Sequence, residues 1–238
     1  MAVSSERYGP LVHRSVHHGA AIWVLGVVEF LVGMIITQFG WSNPSYSLTQ
    51  NYISDLGAVH CGELAGRYVC SPWHLVFNIS IILLGILLIL GVLLLPSAFP
   101  NRRSRAIGLG LLVISGIGAI GVGLSPEDVN LTIHSLSALL AFAGGGFALI
   151  VLGFAMFRDT RWDGWRAYSV ISGLVALVSL ILFVAKSWTW GGLWADLGAG
   201  GIERLIVAPI LLWALLVGIH LLRIPAFAPR QLPKTTAT

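Results

Sequence analysis

The chain has 238 residues, 56% of them hydrophobic and 10% charged, with a mean hydropathy of +0.86. A soluble domain has roughly a quarter of its residues charged. This composition therefore excludes a soluble enzyme or a nucleic-acid-binding domain and predicts an integral membrane protein, with the formal net charge of +4 recording topology rather than affinity for nucleic acid.

Six apolar runs are each close to the roughly 20 residues that a helix needs to cross a bilayer. They lie at Gly19–Gly40, Trp73–Leu95, Ala106–Leu124, Leu131–Phe157, Gly164–Lys186 and Gly201–Leu222. The runs are continuous and do not alternate, so helices are predicted rather than barrel strands. The expected fold is all-α: a cytoplasmic tail over residues 1–18, a six-helix membrane domain over 19–224, and a disordered cytoplasmic tail over 225–238. No small-residue cleavage site follows the first run, which reads as an uncleaved helix.

With the N-terminus inside, eleven of the fourteen Lys and Arg residues fall in cytoplasmic segments; only Arg67, Lys186 and Arg204 lie outside. That asymmetry predicts both termini in the cytoplasm and the long 41–72 connection facing out, in a cell membrane. The connection carries both cysteines, Cys61 and Cys70. An even count in an outward loop predicts a structural disulfide, because a redox pair usually needs a C-x-x-C spacing.

In the N-terminal tail, His13 and His17 share a helix face as a candidate metal pair, although a basic segment drawn to anionic lipid accounts for the same residues. Glu29 sits near the middle of the first run. An acid at that depth is costly and marks a candidate functional group, the alternative being a protonated carboxyl bonded to a neighbouring helix. Ser71-Pro72 reads as the start of the second helix, on which His74 and Asn78 share one face. Small residues at Ser115, Ala119 and Gly123 predict close packing of the third helix. On the fourth, His134 shares a face with Ala138, Ala141 and Gly145, which predicts an inward-facing surface. Pro209 predicts a kink in the sixth helix. Trp41, Trp73, Trp188, Trp190 and Trp194 predict an aromatic belt at the outer boundary.

By this topology Asp55, His60, His74, Asn78, Glu127, Asp128, His134, Glu203 and Arg204 converge on one membrane surface from four parts of the chain. Three elements carry a resemblance: Ile53-Ser54-Asp55-Leu56-Gly57, the Leu124-Ser125-Pro126-Glu127-Asp128 turn with His134 after it, and Gly201-Ile202-Glu203-Arg204. In this order they resemble the DUF998 family of six-helix membrane proteins, and the first is similar, more distantly, to that of the Frag1/DRAM/Sfk1 group. The resemblance implies a six-helix fold with both ends cytoplasmic, and implies no activity.

Three functional readings follow. In the first, a hydrolase or transferase acts on a lipid or lipid-linked substrate. Asp55, His74 and His134 bind a divalent metal such as zinc, Asp128 or Glu203 serves as acid/base, and Arg204 holds a phosphate or carboxylate. In the second, the protein is a scaffold or assembly subunit whose charges form structural salt bridges, such as Arg204 with Asp55 or Asp128, and whose partners are other membrane subunits. In the third, His74 and His134 ligate a b-type haem, with His18 and His220 holding a second at the opposite surface.

Overall fold

The computed structural model describes residues 5–41, 44–157 and 159–224, with side chains from Arg14 onward. The His13–His17 pair lies in part, and the 225–238 tail entirely, outside what is described. Six helices are long and apolar enough to cross a membrane: α1 (Ser5–Gly40), α2 (His74–Leu94), α3 (Arg102–Leu124), α4 (Leu131–Ala155), α5 (Trp165–Val184) and α6 (Leu193–Arg223). Between α1 and α2 lies a short hairpin of β1 (Gly62–Leu64) and β2 (Arg67–Val69).

Short connections place consecutive helices side by side, and α6 closes back onto α1, so the six form a ring in chain order. Glycine permits the closest approach: a Cβ at Gly118 of α3 would lie 2.4 Å from the backbone nitrogen of Ala141 on α4, and such small contacts drive association where lipid gives no hydrophobic gain. Asparagines start two of the helices. The Asn101 carboxamide accepts from Ser104 N–H (3.2 Å) before α3, and Asn130 accepts from Ile133 N–H (3.1 Å) before α4, satisfying amides that the helix itself leaves free. Large apolar side chains such as Leu25, Ile79 and Ile181 stand exposed on the outside of the ring, a surface that a bilayer covers.

Several boundaries differ from those read in the sequence. The first helix begins at Ser5, so the helix runs on through the residues read as a tail. The second begins at His74, and the Ser71 hydroxyl donates to Leu56 O (2.7 Å) instead of capping it. Residues in α6 stay helical through Pro209, and the interruption falls at Gly198, with φ +63° and ψ 178°. The sixth helix therefore starts eight residues before Gly201, as a short turn that the chain leaves and re-enters. Trp41 is buried rather than at a lipid boundary, its indole donating to Pro44 O (2.9 Å).

The two ends of the ring differ. The end that holds the start of α1 and the finish of α6 is closed by aromatic packing: Trp23 against Trp213 (5.7 Å between centroids), Phe99 stacked on Trp162 (5.1 Å), and His220 beside Trp165 (4.6 Å). The other end is covered by the connection between α1 and α2, a cap beneath which Asp55, Glu127 and Glu203 are buried.

Candidate functional site

The cap is built from the hairpin inward. Ala65 and Gly66 both take positive φ (50° and 81°), the two-residue turn that matches strand twist. The strands pair Gly62 with Val69, Glu63 with Tyr68 and Leu64 with Arg67. Directly outside that register, Cys61 and Cys70 are joined as a disulfide. So short a ribbon is marginal by itself, and the disulfide holds it. The first residue of β2, Arg67, is thereby aimed at the ring.

Arg67 grips the carboxylate of Asp55 side-on. Its Nε lies 3.0 and 2.9 Å from the two oxygens and its Nη2 donates to Oδ1. The same Nη2 reaches Glu127 Oε1 at 3.1 Å, and the guanidinium lies 3.8 Å above the Tyr52 ring. Asp55 also accepts from Asn51 Nδ2 (3.1 Å) and Tyr52 N–H (3.0 Å), and its side chain is wholly buried. Ser54 Oγ donates to the second oxygen of Glu127 (3.2 Å).

One cation thus serves two buried acids, which separates their acidities. Burial alone would raise Asp55, but hydrogen bonds from Arg67 and Asn51 and the arginine charge hold it below the usual carboxylate value. Burial, then the neighbouring Asp55 carboxylate, pushes Glu127 up to about 9. At neutral pH the trio carries one positive and one negative charge, with Glu127 protonated.

A second layer ties the cap to α6. The Ile53 N–H donates to Glu203 Oε2. Arg204 Nη1 donates to the carbonyls of Leu48 (2.8 Å), Asn51 (3.0 Å) and Gly200 (2.8 Å), and its Nη2 to the Tyr46 hydroxyl. Gly200 N–H donates to Thr49 O (2.8 Å). A Cβ at Gly198 would lie 2.3 Å from Thr49 O, and one at Gly200 2.1 Å from Asn51 O. The backbone of 49–51 therefore lies directly on the interrupted start of α6.

Beneath the cap, α1, α2, α3, α4 and α6 line a cavity of about 90 Å³. Its wall is apolar except for Ser54, Ser115, His134 and Glu203. From Glu203 to Ala214, both in that wall, the helical rise gives a depth of roughly 16 Å, so the space is long and narrow. His134 Nδ1 donates to Ser125 O (2.9 Å), which leaves Nε2 as the acceptor nitrogen.

The sequence-predicted residues divide between these layers. Asp55, Glu127 and Glu203 are buried at the cap. The three proposed metal ligands are not brought together. Asp55 is saturated by Arg67 and Asn51, the His74 imidazole bonds Ser71 O (3.0 Å), and His134 lines the cavity while His74 does not. Among the described residues no group of three or more His, Cys, Asp or Glu side chains is placed to hold a metal ion. For haem, His74 and His134 do not face one space, since His134 lines the cavity and His74 does not. His18 is exposed, and His220 Nε2 is bonded to Arg161 O (2.9 Å).

Arg204 makes neither of the expected salt bridges, because its donors are used by carbonyls. Asp128 stands apart at the rim. It accepts from the backbone N–H groups of Val59 (3.0 Å) and His60 (2.8 Å) and contacts His60 Nδ1 (2.8 Å). Burial there is outweighed by those bonds, and Asp128 is held below the usual carboxylate value. Glu29 lies between α1 and α2, accepting from Ser80 Oγ (2.5 Å), and its Oε2 is buried without a partner among the described residues. The residue that sequence reasoning missed is Arg67. Its one signal was its place among three basic residues on the side predicted to face out, between the two cysteines.

Fold and cap together define a six-helix integral membrane protein with a polar, disulfide-braced cover over an apolar interior. The family model described as "Protein of unknown function (DUF998)" matches residues 24–220, and the chain belongs to that family. No curated protein and no solved structure matches it.

Proposed function

We propose that this protein binds a lipid-like molecule, holding its apolar chain in the cavity between α1, α2, α3, α4 and α6 with its polar end under the cap. The observation that carries this reading is the wall itself: hydrocarbon along a depth of roughly 16 Å, with Glu203, His134 and Ser54 at one end. An apolar space of this kind stays dry and takes apolar guests, and its narrow form suits a single chain. The cap faces away from the cytoplasm, as the distribution of Lys and Arg favours, and the disulfide then lies in an oxidising compartment. Asp55, Glu127, Arg67 and Arg204 act as the frame of the cap, since each is already matched.

Trp23 in the cavity wall offers a reporter. Titrating the detergent-solubilised protein with dodecane brominated at its end is expected to quench fluorescence saturably, and Trp23→Phe to remove most of that change. Quenching that rises linearly, unaltered by Trp23→Phe, contradicts an interior site.

A further inference from the structure

Two polar atoms in the cavity wall make no hydrogen bond with the described residues. Glu203 is 4% exposed; its Oε2 takes the Ile53 N–H, and its Oε1 makes no hydrogen bond with the described residues. His134 is 6% exposed; its Nδ1 is spent on Ser125 O, and its Nε2 is likewise without a partner. Neither atom is sealed among protein atoms, so a guest in the cavity can reach and pair with each. Both residues belong to the same wall, from α6 and α4, at the capped end.

The chemistry of this end suits a hydroxyl, which both donates and accepts. The imidazole nitrogen accepts, and a carboxyl oxygen accepts or, when protonated, donates. No lysine or arginine lines the cavity. The guanidiniums at the cap are committed, Arg67 to Asp55 and Glu127, and Arg204 to three carbonyls and Tyr46. A phosphate brought here would meet acceptors and acidic groups with no cation left to pair it, and a buried unpaired charge is strongly disfavoured.

Resting on the reading of the cavity as a chain-binding site, we infer that the ligand's polar end is a hydroxyl, not a phosphate, and that Glu203 and His134 read it. The hydroxyl donates to one of the two acceptors, and its oxygen remains free for a further bond. Arg204, the residue whose position suggested an anion clamp, is excluded from that role by its carbonyl partners.

The test compares probes that share one chain. Dodecane, dodecan-1-ol and dodecyl phosphate compete with the brominated dodecane for quenching of Trp23 in the intact protein. Dodecan-1-ol is expected to displace it about tenfold more effectively than dodecane, one well-made hydrogen bond's worth, and dodecyl phosphate less effectively than the alcohol. Two variants keep the framework. Glu203→Gln retains an acceptor for Ile53 N–H, and His134→Asn retains a donor for Ser125 O; each is expected to cut the alcohol's advantage several-fold while leaving dodecane unchanged. An alcohol no better than dodecane means that water alone satisfies both atoms, and overturns the inference while the chain site stands. A phosphate that binds as well as the alcohol, or variants that keep the preference, overturn it too. If no probe displaces the brominated chain saturably, the site itself fails.

Discussion

Arg67 and Asp55, twelve positions apart, meet through the side of the guanidinium, with both carboxylate oxygens engaged. The pair connects a surface hairpin to the buried Ser54–Gly57 turn, and Glu127 is added as a third member from the connection between α3 and α4. Removing one side of such a pair leaves a buried charge uncompensated, at a cost of about 3–5 kcal/mol. Arg67→Met is therefore expected to lower the thermal midpoint in detergent sharply. Asp55→Asn together with Arg67→Met should recover much of the loss, because neither charge is then stranded. Equal destabilisation in the single and double variants contradicts the pairing.

The same trio predicts a pH dependence with two limbs. Glu127, raised to about 9 by burial and by Asp55, contributes stability that is fully present below the ordinary carboxyl value and is lost as pH rises toward 9. Asp55 is held below its ordinary value, so its contribution is present above that value and lost as pH falls through the lowered one. Midpoints measured across pH should fall on the alkaline side, and Glu127→Gln should flatten that limb alone. An alkaline limb unchanged in Glu127→Gln would place the titrating group elsewhere.

The disulfide closes a short loop across the hairpin, Cys61 and Cys70 being nine positions apart. On the chain-entropy account that closure contributes about 2–3 kcal/mol. Cys61→Ser/Cys70→Ser should lose that amount and should also loosen Arg67, so the effects of Cys61→Ser/Cys70→Ser and Arg67→Met should be less than additive. Strict additivity would separate the disulfide from the charge cluster.

The spans, their number and the convergence of Asp55, Glu127 and Glu203 were legible because depth in an apolar run is a sequence property. What was not legible depended on the backbone. Ala65-Gly66 lacks the usual asparagine or aspartate of a tight hairpin turn, so nothing announced β1 and β2 or the direction in which Arg67 points. Arg204 was read as an anion or salt-bridge residue because its partners are carbonyls of residues 48, 51 and 200, which have no side-chain signature. His74 and His134 were grouped by depth, and depth does not say which face of a helix turns inward.

The interrupted start of α6 makes a further expectation. Gly198 has a positive φ, and at Gly200 a methyl group would overlap Asn51 O. Gly200→Ala should push the 49–51 backbone off α6 and speed hydrogen exchange at the amides of Asn51 to Ile53. Gly62→Ala, where a Cβ meets nothing within 4 Å, should leave those amides protected. Unchanged exchange in Gly200→Ala would argue against the close approach of loop and helix.

The interior chain-binding cavity is open to native mass spectrometry of the protein released from mild detergent beside an Ala138→Phe variant, which fills the space below His134. A single lipid-like adduct is expected on the wild-type protein, with its loss from the variant, at an unchanged thermal midpoint. A bare wild-type mass, or adducts equally present in both proteins, would contradict it.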